Sequence, residues 1–196
     1  MTEKWQEAAF LLIGSLSEST HTPGGGAAGA VSAAMGCALV EMIAGISAKS
    51  KYVPHESKAM LQIALPKIKA LKSELMKSIS ADAEAFDAYM KASKEVNISP
   101  RERAKAIQTA LAHAAEVPLR TAMLSAEAVL ELQKIKQNLS PRIMSDYFAA
   151  ETLLKAAAEC CAEIVRLNLK YMKDRNLAEK MKQQLANCLS SLELYK

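Results

Sequence analysis

The chain has one carboxylate that is placed where a carboxylate is costly. In the segment 55–94, apolar residues recur with helical spacing, and Asp82 falls about 40° from the centre of the face that they form. A carboxylate turned toward a core costs several kcal/mol unless it is paired or hydrogen-bonded. Groups held in this way often have a pKa suited to moving protons. We therefore predict that Asp82 is catalytic.

A run of glycines is the second feature that could take part in binding or catalysis. Thr22-Pro-Gly-Gly-Gly26 opens directly into an alanine-rich helix. Glycines permit turns that other residues cannot adopt and let another surface come very close. The N–H groups at the start of the helix can hold an anion. We predict that Pro23, Gly24, Gly25 and Gly26 bind substrate and that His21 contacts it; a flexible hinge is the alternative.

Two further polar residues lie on the apolar side of a later predicted helix. Asp146 and Asn168 are 22 residues apart, roughly 33 Å along a straight helix, so one subunit cannot bring both to one small site. Asp146 is a candidate substrate contact, with helix N-capping as the alternative. For Asn168 we favour a buried hydrogen bond between helices over a ligand contact.

The composition predicts an all-α protein. The chain has 196 residues, of which 51% are hydrophobic and only 5% aromatic, and its formal net charge is +4. Glycine and proline are rare after residue 54, whereas alanine, leucine, lysine and glutamate are abundant. The lysines are spread out rather than clustered, which argues against nucleic acid as a partner. The length suits one domain covering residues 1–196.

Six helices are predicted, with short connections between them. The expected bundle of five to six long helices buries more apolar residues than a slender monomer needs, which favours a homo-oligomer. Pro66 and Pro118 should kink the helices that contain them. The predicted spans are 4–17, 25–49, 55–94, 100–137, 144–173 and 175–193.

The segment 23–48 requires a choice between a buried core helix and a membrane span. Glu41 is its only charged residue, so the helix should be buried on all sides. Its length could cross a bilayer, but it is rich in alanine, glycine and serine and lacks flanking aromatic anchors. We predict no membrane association. Charged residues near the N-terminus exclude a signal peptide, so we expect a cytoplasmic protein.

The cysteines and histidines do not form the usual metal motifs. The four cysteines have no CxxC spacing and no histidine nearby, so we predict no metal site and no disulfide framework. We expect the adjacent Cys160 and Cys161 to be reduced core residues. His113 and Glu116 share a helix face but lack the further ligands of a dinuclear centre.

Several motifs together resemble the cyclodeaminase/cyclohydrolase family over nearly the whole chain. They are the proline–triglycine element with its alanine-rich helix, Lys49-Ser-Lys-Tyr52, Asp82-Ala-Glu-Ala-Phe-Asp87, Val117-Pro-Leu119 and Ser145-Asp146. The family includes the cyclodeaminase domain of formiminotransferase-cyclodeaminase and bacterial methenyltetrahydrofolate cyclohydrolases.

The resemblance implies an all-α homodimer with a folate-binding cleft near the glycines. It implies an enzyme that acts on a one-carbon unit bridging N5 and N10 of tetrahydrofolate, with Asp82 as the catalytic carboxylate. The tetrahydrofolate derivative is the substrate, and no cofactor is implied. Lys51, Tyr52 and Phe86 then become candidate contacts to the folate carboxylates or to the pterin.

Three segments differ from the usual family pattern: Ala27, Gly45-Ile-Ser47 and Leu139–Met144. These differences leave open a second interpretation, in which the protein is a catalytically altered relative that binds folate or a protein partner.

Overall fold

The computed structural model describes residues 2–193, and within them the chain forms six α-helices and no strand. The all-α prediction is therefore confirmed for this part of the chain. Two short 3₁₀ turns, Lys136–Asn138 and Pro141–Ile143, lie between the fourth and fifth helices. The helices are α1 (Thr2–Ser17), α2 (Gly25–Lys49), α3 (His55–Lys94), α4 (Pro100–Ile135), α5 (Met144–Tyr171) and α6 (Arg175–Glu193).

Local sequence signals explain most helix boundaries. Ser99 begins α4 with a capping box: its Oγ accepts a hydrogen bond from the Glu102 N–H, and the Glu102 carboxylate accepts one from the Ser99 N–H. Asp174 caps α6 by accepting a hydrogen bond from the Leu177 N–H at 3.0 Å. The predicted ends of α4 and α5 were two residues too long, because both helices end in tighter local turns.

The helices α2, α3, α4 and α5 form a four-helix bundle in which each packs against its two neighbours. The helix α6 lies against α4 and α5. A single apolar cluster fills the space between α2, α3, α4, α5 and α6, and its largest fully buried side chains include Tyr147, Ile43, Leu61 and Leu132. This bundle fixes the positions of the candidate site residues, because α2, α3 and α5 each carry some of them.

Small residues let α2 and α5 approach closely. A methyl group built on Gly29 would lie 2.8 Å from the sulfur of Cys161, and one on Gly36 would lie 2.6 Å from Leu154 Cγ. Ser32 also donates a hydrogen bond from α2 to the Leu153 carbonyl of α5 at 3.2 Å. Packing against α5 therefore requires glycine at positions 29 and 36.

The prediction that α2 is buried on all sides is wrong. It packs against α3, α4 and α5 along one broad face, but Met35, Met42 and Ile46 on the other side are 54%, 40% and 46% exposed. The apolar character of every face of α2 is therefore not explained by a position at the centre of this bundle. Glu41 also lies on the accessible side, where it pairs with Lys72 and Lys69 of α3.

The first helix stands apart from the bundle. It makes at most isolated contacts with the other helices, and Trp5, Phe10, Leu11 and Ile13 are exposed on it.

Among the described helices, α2 is long and apolar enough to cross a membrane by length and composition, but 44% of its most apolar stretch is buried in the bundle. Core helices of soluble proteins have the same property.

The prediction that Cys160 and Cys161 both lie in the core is correct only for Cys161. Cys37, Cys161 and Cys188 are buried, and burial raises the pKa of Cys37 and Cys161 to about 12. Cys160, in contrast, is exposed, because it lies at the edge of α5 beside the start of α2.

Candidate active site

A cavity of about 320 Å³ opens where the loop before α2 meets α3, α4 and α5. It is lined by His21, Thr22, Gly24, Gly25, Gly26, Asp82, Phe86, Tyr89, Leu111, Ala114, Ile164, Leu167, Asn168 and Tyr171. Two independently predicted elements, the glycine loop and Asp82, thus lie in one cavity. Pro23 lies in the same loop between lining residues.

The carboxylate of Asp82 lies directly against Gly26. A Cβ atom on Gly26 would fall inside the carboxyl group, so no residue other than glycine fits there without moving Asp82. The structure corrects one reason given for the glycines, since no glycine in residues 2–193 has a positive φ. Close approach of another side chain is the property that is used here.

The neighbourhood of Asp82 favours its neutral form more than water does. Burial raises the pKa of Asp82 above its ordinary value of 3.8, and the nearby backbone N–H of Ala27 partly opposes this shift. The positive end of α2 therefore faces the Asp82 carboxylate. The charge of Asp82 also reaches α5, where, after burial, it helps raise the pKa of Cys160.

One wall of the cavity is aromatic. The rings of His21 and Phe86 are 5.6 Å apart and tilted by 40°, and Tyr89 and Tyr171 add two further rings. Flat heteroaromatic ligands pack well against such surfaces. The cavity thus combines a desolvated carboxylate with space for a planar ring.

The other predicted contacts lie at the opposite end of the protomer. Lys51 and Tyr52 follow the far end of α2, roughly 36 Å from its glycines at 1.5 Å per residue. Asp146 lies in the first turn of α5, and the guanidinium of Arg142, in the turn just before it, lies 4.8 Å from the Tyr52 ring centre. A single protomer does not bring these residues to Asp82.

Sequence reasoning missed several lining residues. Tyr89, Leu111, Ala114, Leu167 and Tyr171 come from three helices, and only tertiary packing brings them together. Tyr89 is the one with a usable signal, because it lies seven residues, two helical turns, after Asp82. The predicted hydrogen bond of Asn168 is confirmed: its Nδ2 donates to the Ala114 carbonyl at 2.7 Å, and the residue also lines the cavity.

Comparison with known proteins gives the cavity a context. The sequence profile of the formiminotransferase-cyclodeaminase family matches residues 11–187. The chain belongs to this family. It is 35% identical over 188 residues to a methenyltetrahydrofolate cyclohydrolase of Methylorubrum extorquens, and the match covers 94% of this chain and 89% of that protein.

Other members of the formiminotransferase-cyclodeaminase family are larger or structurally characterised. The formimidoyltransferase-cyclodeaminase of Rattus norvegicus is 30% identical over 170 residues; the match covers 85% of this chain but only 31% of that protein. A crystal structure of formiminotetrahydrofolate cyclodeaminase from Thermotoga maritima superposes with a TM-score of 0.84 at 28% identity, covering 96% of this chain and 89% of that one.

Proposed function

We propose that this protein is a folate enzyme that acts on the one-carbon unit between N5 and N10 of tetrahydrofolate. It would hydrolyse 5,10-methenyltetrahydrofolate to 10-formyltetrahydrofolate, cyclodeaminate 5-formiminotetrahydrofolate, or do both. The observation that carries the proposal is the partly desolvated carboxylate of Asp82 against Gly26 in an aromatic cavity. The names of the relatives support the same substrate class.

In the hydrolytic direction, ionised Asp82 takes a proton from water while the water oxygen bonds to the methenyl carbon. The C–N5 bond then breaks, and N5 receives the bonding pair and the proton held by Asp82. The new hydroxyl loses its proton to solvent as the carbonyl forms, and the formyl group stays on N10. The charge of Asp82 also stabilises the cationic substrate before attack. The reaction consumes one water and releases one proton.

In the deaminating direction, N10 attacks the formimino carbon and ammonia leaves. This reaction needs one group that accepts the N10 proton and returns a proton to the departing nitrogen. A carboxylate with a raised pKa suits both transfers. Neither reaction requires a cofactor other than the folate itself.

The segments that differ from the family pattern lie mostly away from Asp82. Ser47 and Ser140 belong to two of them, and they contact each other: the Ser140 N–H donates to Ser47 Oγ at 3.0 Å, and both residues are buried. This contact lies at the end of the bundle away from Asp82. Only Ala27 is near the carboxylate, and it contributes through its backbone, which any residue other than proline provides.

The test is an assay of the full chain with three folates. Loss of methenyltetrahydrofolate absorbance, ammonia release from 5-formiminotetrahydrofolate, and calorimetry with tetrahydrofolate separate the two reactions from binding. Binding without turnover of either substrate would favour the alternative of a binding module. Failure to bind any of the three would contradict the proposal.

The pH dependence of the rate should report the environment of Asp82. A general base must be ionised, so hydrolysis should be lost as the pH falls through the pKa of Asp82 in the folded protein. Because burial raises that pKa, the acid limb should lie above 3.8. The measurement is kcat/KM against pH, which reports the free enzyme, corrected for uncatalysed hydrolysis; a limb at or below 3.8 would contradict this role.

We further propose that the protein is a cytoplasmic homodimer, without membrane or nucleic-acid partners, in which two α2 helices pack antiparallel. The exposed apolar side of α2, formed by Met35, Met42 and Ile46, supports a contact between identical helices. The exposed apolar residues of α1 offer further surface.

This pairing would explain the separation of the predicted site residues. If two antiparallel α2 helices cross near Leu39, Gly26 of one chain lies level with Tyr52 of the other. Lys51 and Tyr52, with Asp146 at the same end, would then belong to the cavity of the partner subunit. Each of the two cavities would be completed by the second copy.

The Met42→Lys variant tests the dimer. A charge in the centre of an apolar interface is not compensated, so we expect a monomer in sedimentation equilibrium and a large loss of folate turnover. Val96→Lys is the control, because Val96 is 76% exposed in the connection between α3 and α4. A Met42→Lys protein that stays dimeric would exclude this face as the interface.

A further inference from the structure

We propose that Asn168 is a substrate-binding residue whose side-chain oxygen accepts a hydrogen bond from an N–H group of the folate, and that Pro118 sets its orientation. The inference rests on the proposed function.

Pro118 lies inside α4 and is buried. Proline has no backbone N–H, so the carbonyl four residues earlier, that of Ala114, loses its helical partner. A carbonyl left unpaired in partly buried surroundings is costly. Pro66 creates the same defect in α3, but there the proline and Gln62 are exposed, and water can replace the lost donor.

Asn168 of α5 supplies the hydrogen-bond donor that the Ala114 carbonyl of α4 lacks. Its Nδ2 donates to the Ala114 carbonyl at 2.7 Å. Because a carbonyl can only accept, the amide of Asn168 must turn its nitrogen toward α4. Chemistry thus settles the orientation of the amide, which the shape of the side chain alone does not.

The oxygen of the amide is then the atom left for a ligand. Asn168 lines the same cavity as Asp82, and among residues 2–193 no protein donor reaches its Oδ1. The reduced pterin ring carries N–H donors at its amide edge and its amino group. A neutral amide oxygen accepts from these donors without competing with Asp82 for the reacting proton.

The function of Asn168 can be separated from its structural role by a double-variant cycle. Asn168→Leu keeps a similar volume but leaves the Ala114 carbonyl unpaired, so the melting temperature should fall by about 4 °C. Its Kd for tetrahydrofolate should rise roughly tenfold, and KM should rise more than kcat falls.

The Pro118→Ala background restores an N–H for the Ala114 carbonyl. In that background, Asn168→Leu should lower the melting temperature much less but should still raise the Kd for tetrahydrofolate. If the role is purely structural, both effects will disappear together, and the inference is overturned. If the wild-type protein fails to bind tetrahydrofolate, the proposed function fails instead.

Discussion

Asp82→Asn should lower kcat for methenyltetrahydrofolate hydrolysis by roughly 10²–10⁴-fold, the usual contribution of a positioned acid–base group. Asparagine has nearly the same shape and can still accept from the Ala27 N–H, but it neither takes a proton nor carries a charge. The measurement is the absorbance decay at saturating substrate. KM should also rise, because asparagine lacks the charge that stabilises the bound cationic substrate.

Asp87→Asn is the matched control for this variant. It makes the same chemical change on the same helix, but Asp87 is exposed and does not line the cavity. Its rate should stay within about twofold of wild type, as expected for a surface substitution. If Asp82→Asn and Asp87→Asn had equal rates, Asp82 would have no part in the mechanism.

The Asp82→Asn variant should be more stable than wild type at neutral pH. Because the pKa of Asp82 is raised on folding, the folded protein binds its proton more tightly than the unfolded chain, and stability falls as the pH rises through that pKa. Asparagine avoids this cost. A melting temperature at pH 7 that is equal to or above wild type is therefore expected, and a markedly lower one would indicate that Asp82 is structural.

Gly26→Ala should abolish most activity although it changes no reacting group. The added methyl would overlap the Asp82 carboxyl, so the carboxylate must leave its position beside the α2 terminus. A misplaced general base costs on the order of 10²-fold in rate. Steady-state kcat is the readout, and a melting curve should show that the protein remains folded.

Gly25→Ala provides the comparison for Gly26→Ala. A methyl on Gly25 would lie 3.6 Å from Ile164 Cδ1, an ordinary contact, so its loss of rate should be much smaller. In the Asp82→Asn background, Gly26→Ala should have little further effect, because both changes act through the same carboxylate. Additive losses would mean that Gly26 acts on the substrate directly.

The helices were predictable because their signals are local. Ser99-Pro100 and the glycine run mark helix starts by the chemistry of the cap and the turn, and all six predicted spans match within two residues. Core-facing Asp82 was also readable from periodicity alone, since its neighbours on α3 carry the pattern.

The exposed face of α2 and the other residues of the cavity could not be predicted, because they depend on packing that periodicity does not encode. The exposed side of α2 is as apolar as its buried side, so no residue type marks which face meets the bundle. Tyr171 joins the cavity from the last turn of α5, far from Asp82 in the sequence. The contact of Asn168 with Ala114 was foreseen only as a buried bond, because its partner is a backbone atom.

The polar contacts of α2 have a consequence for the alignment of the cavity. A helix of glycine and alanine has a smooth surface. Its apolar contacts therefore distinguish poorly between positions that differ by one turn along the helix axis. Three polar contacts, from Ser32, Glu41 and Ser47, tie it to α5, to α3 and to the turn before α5. A slip of one turn, about 5.4 Å, would break all three and carry Gly26 away from Asp82. Groups distant from the cavity thus keep Gly26 in register with Asp82.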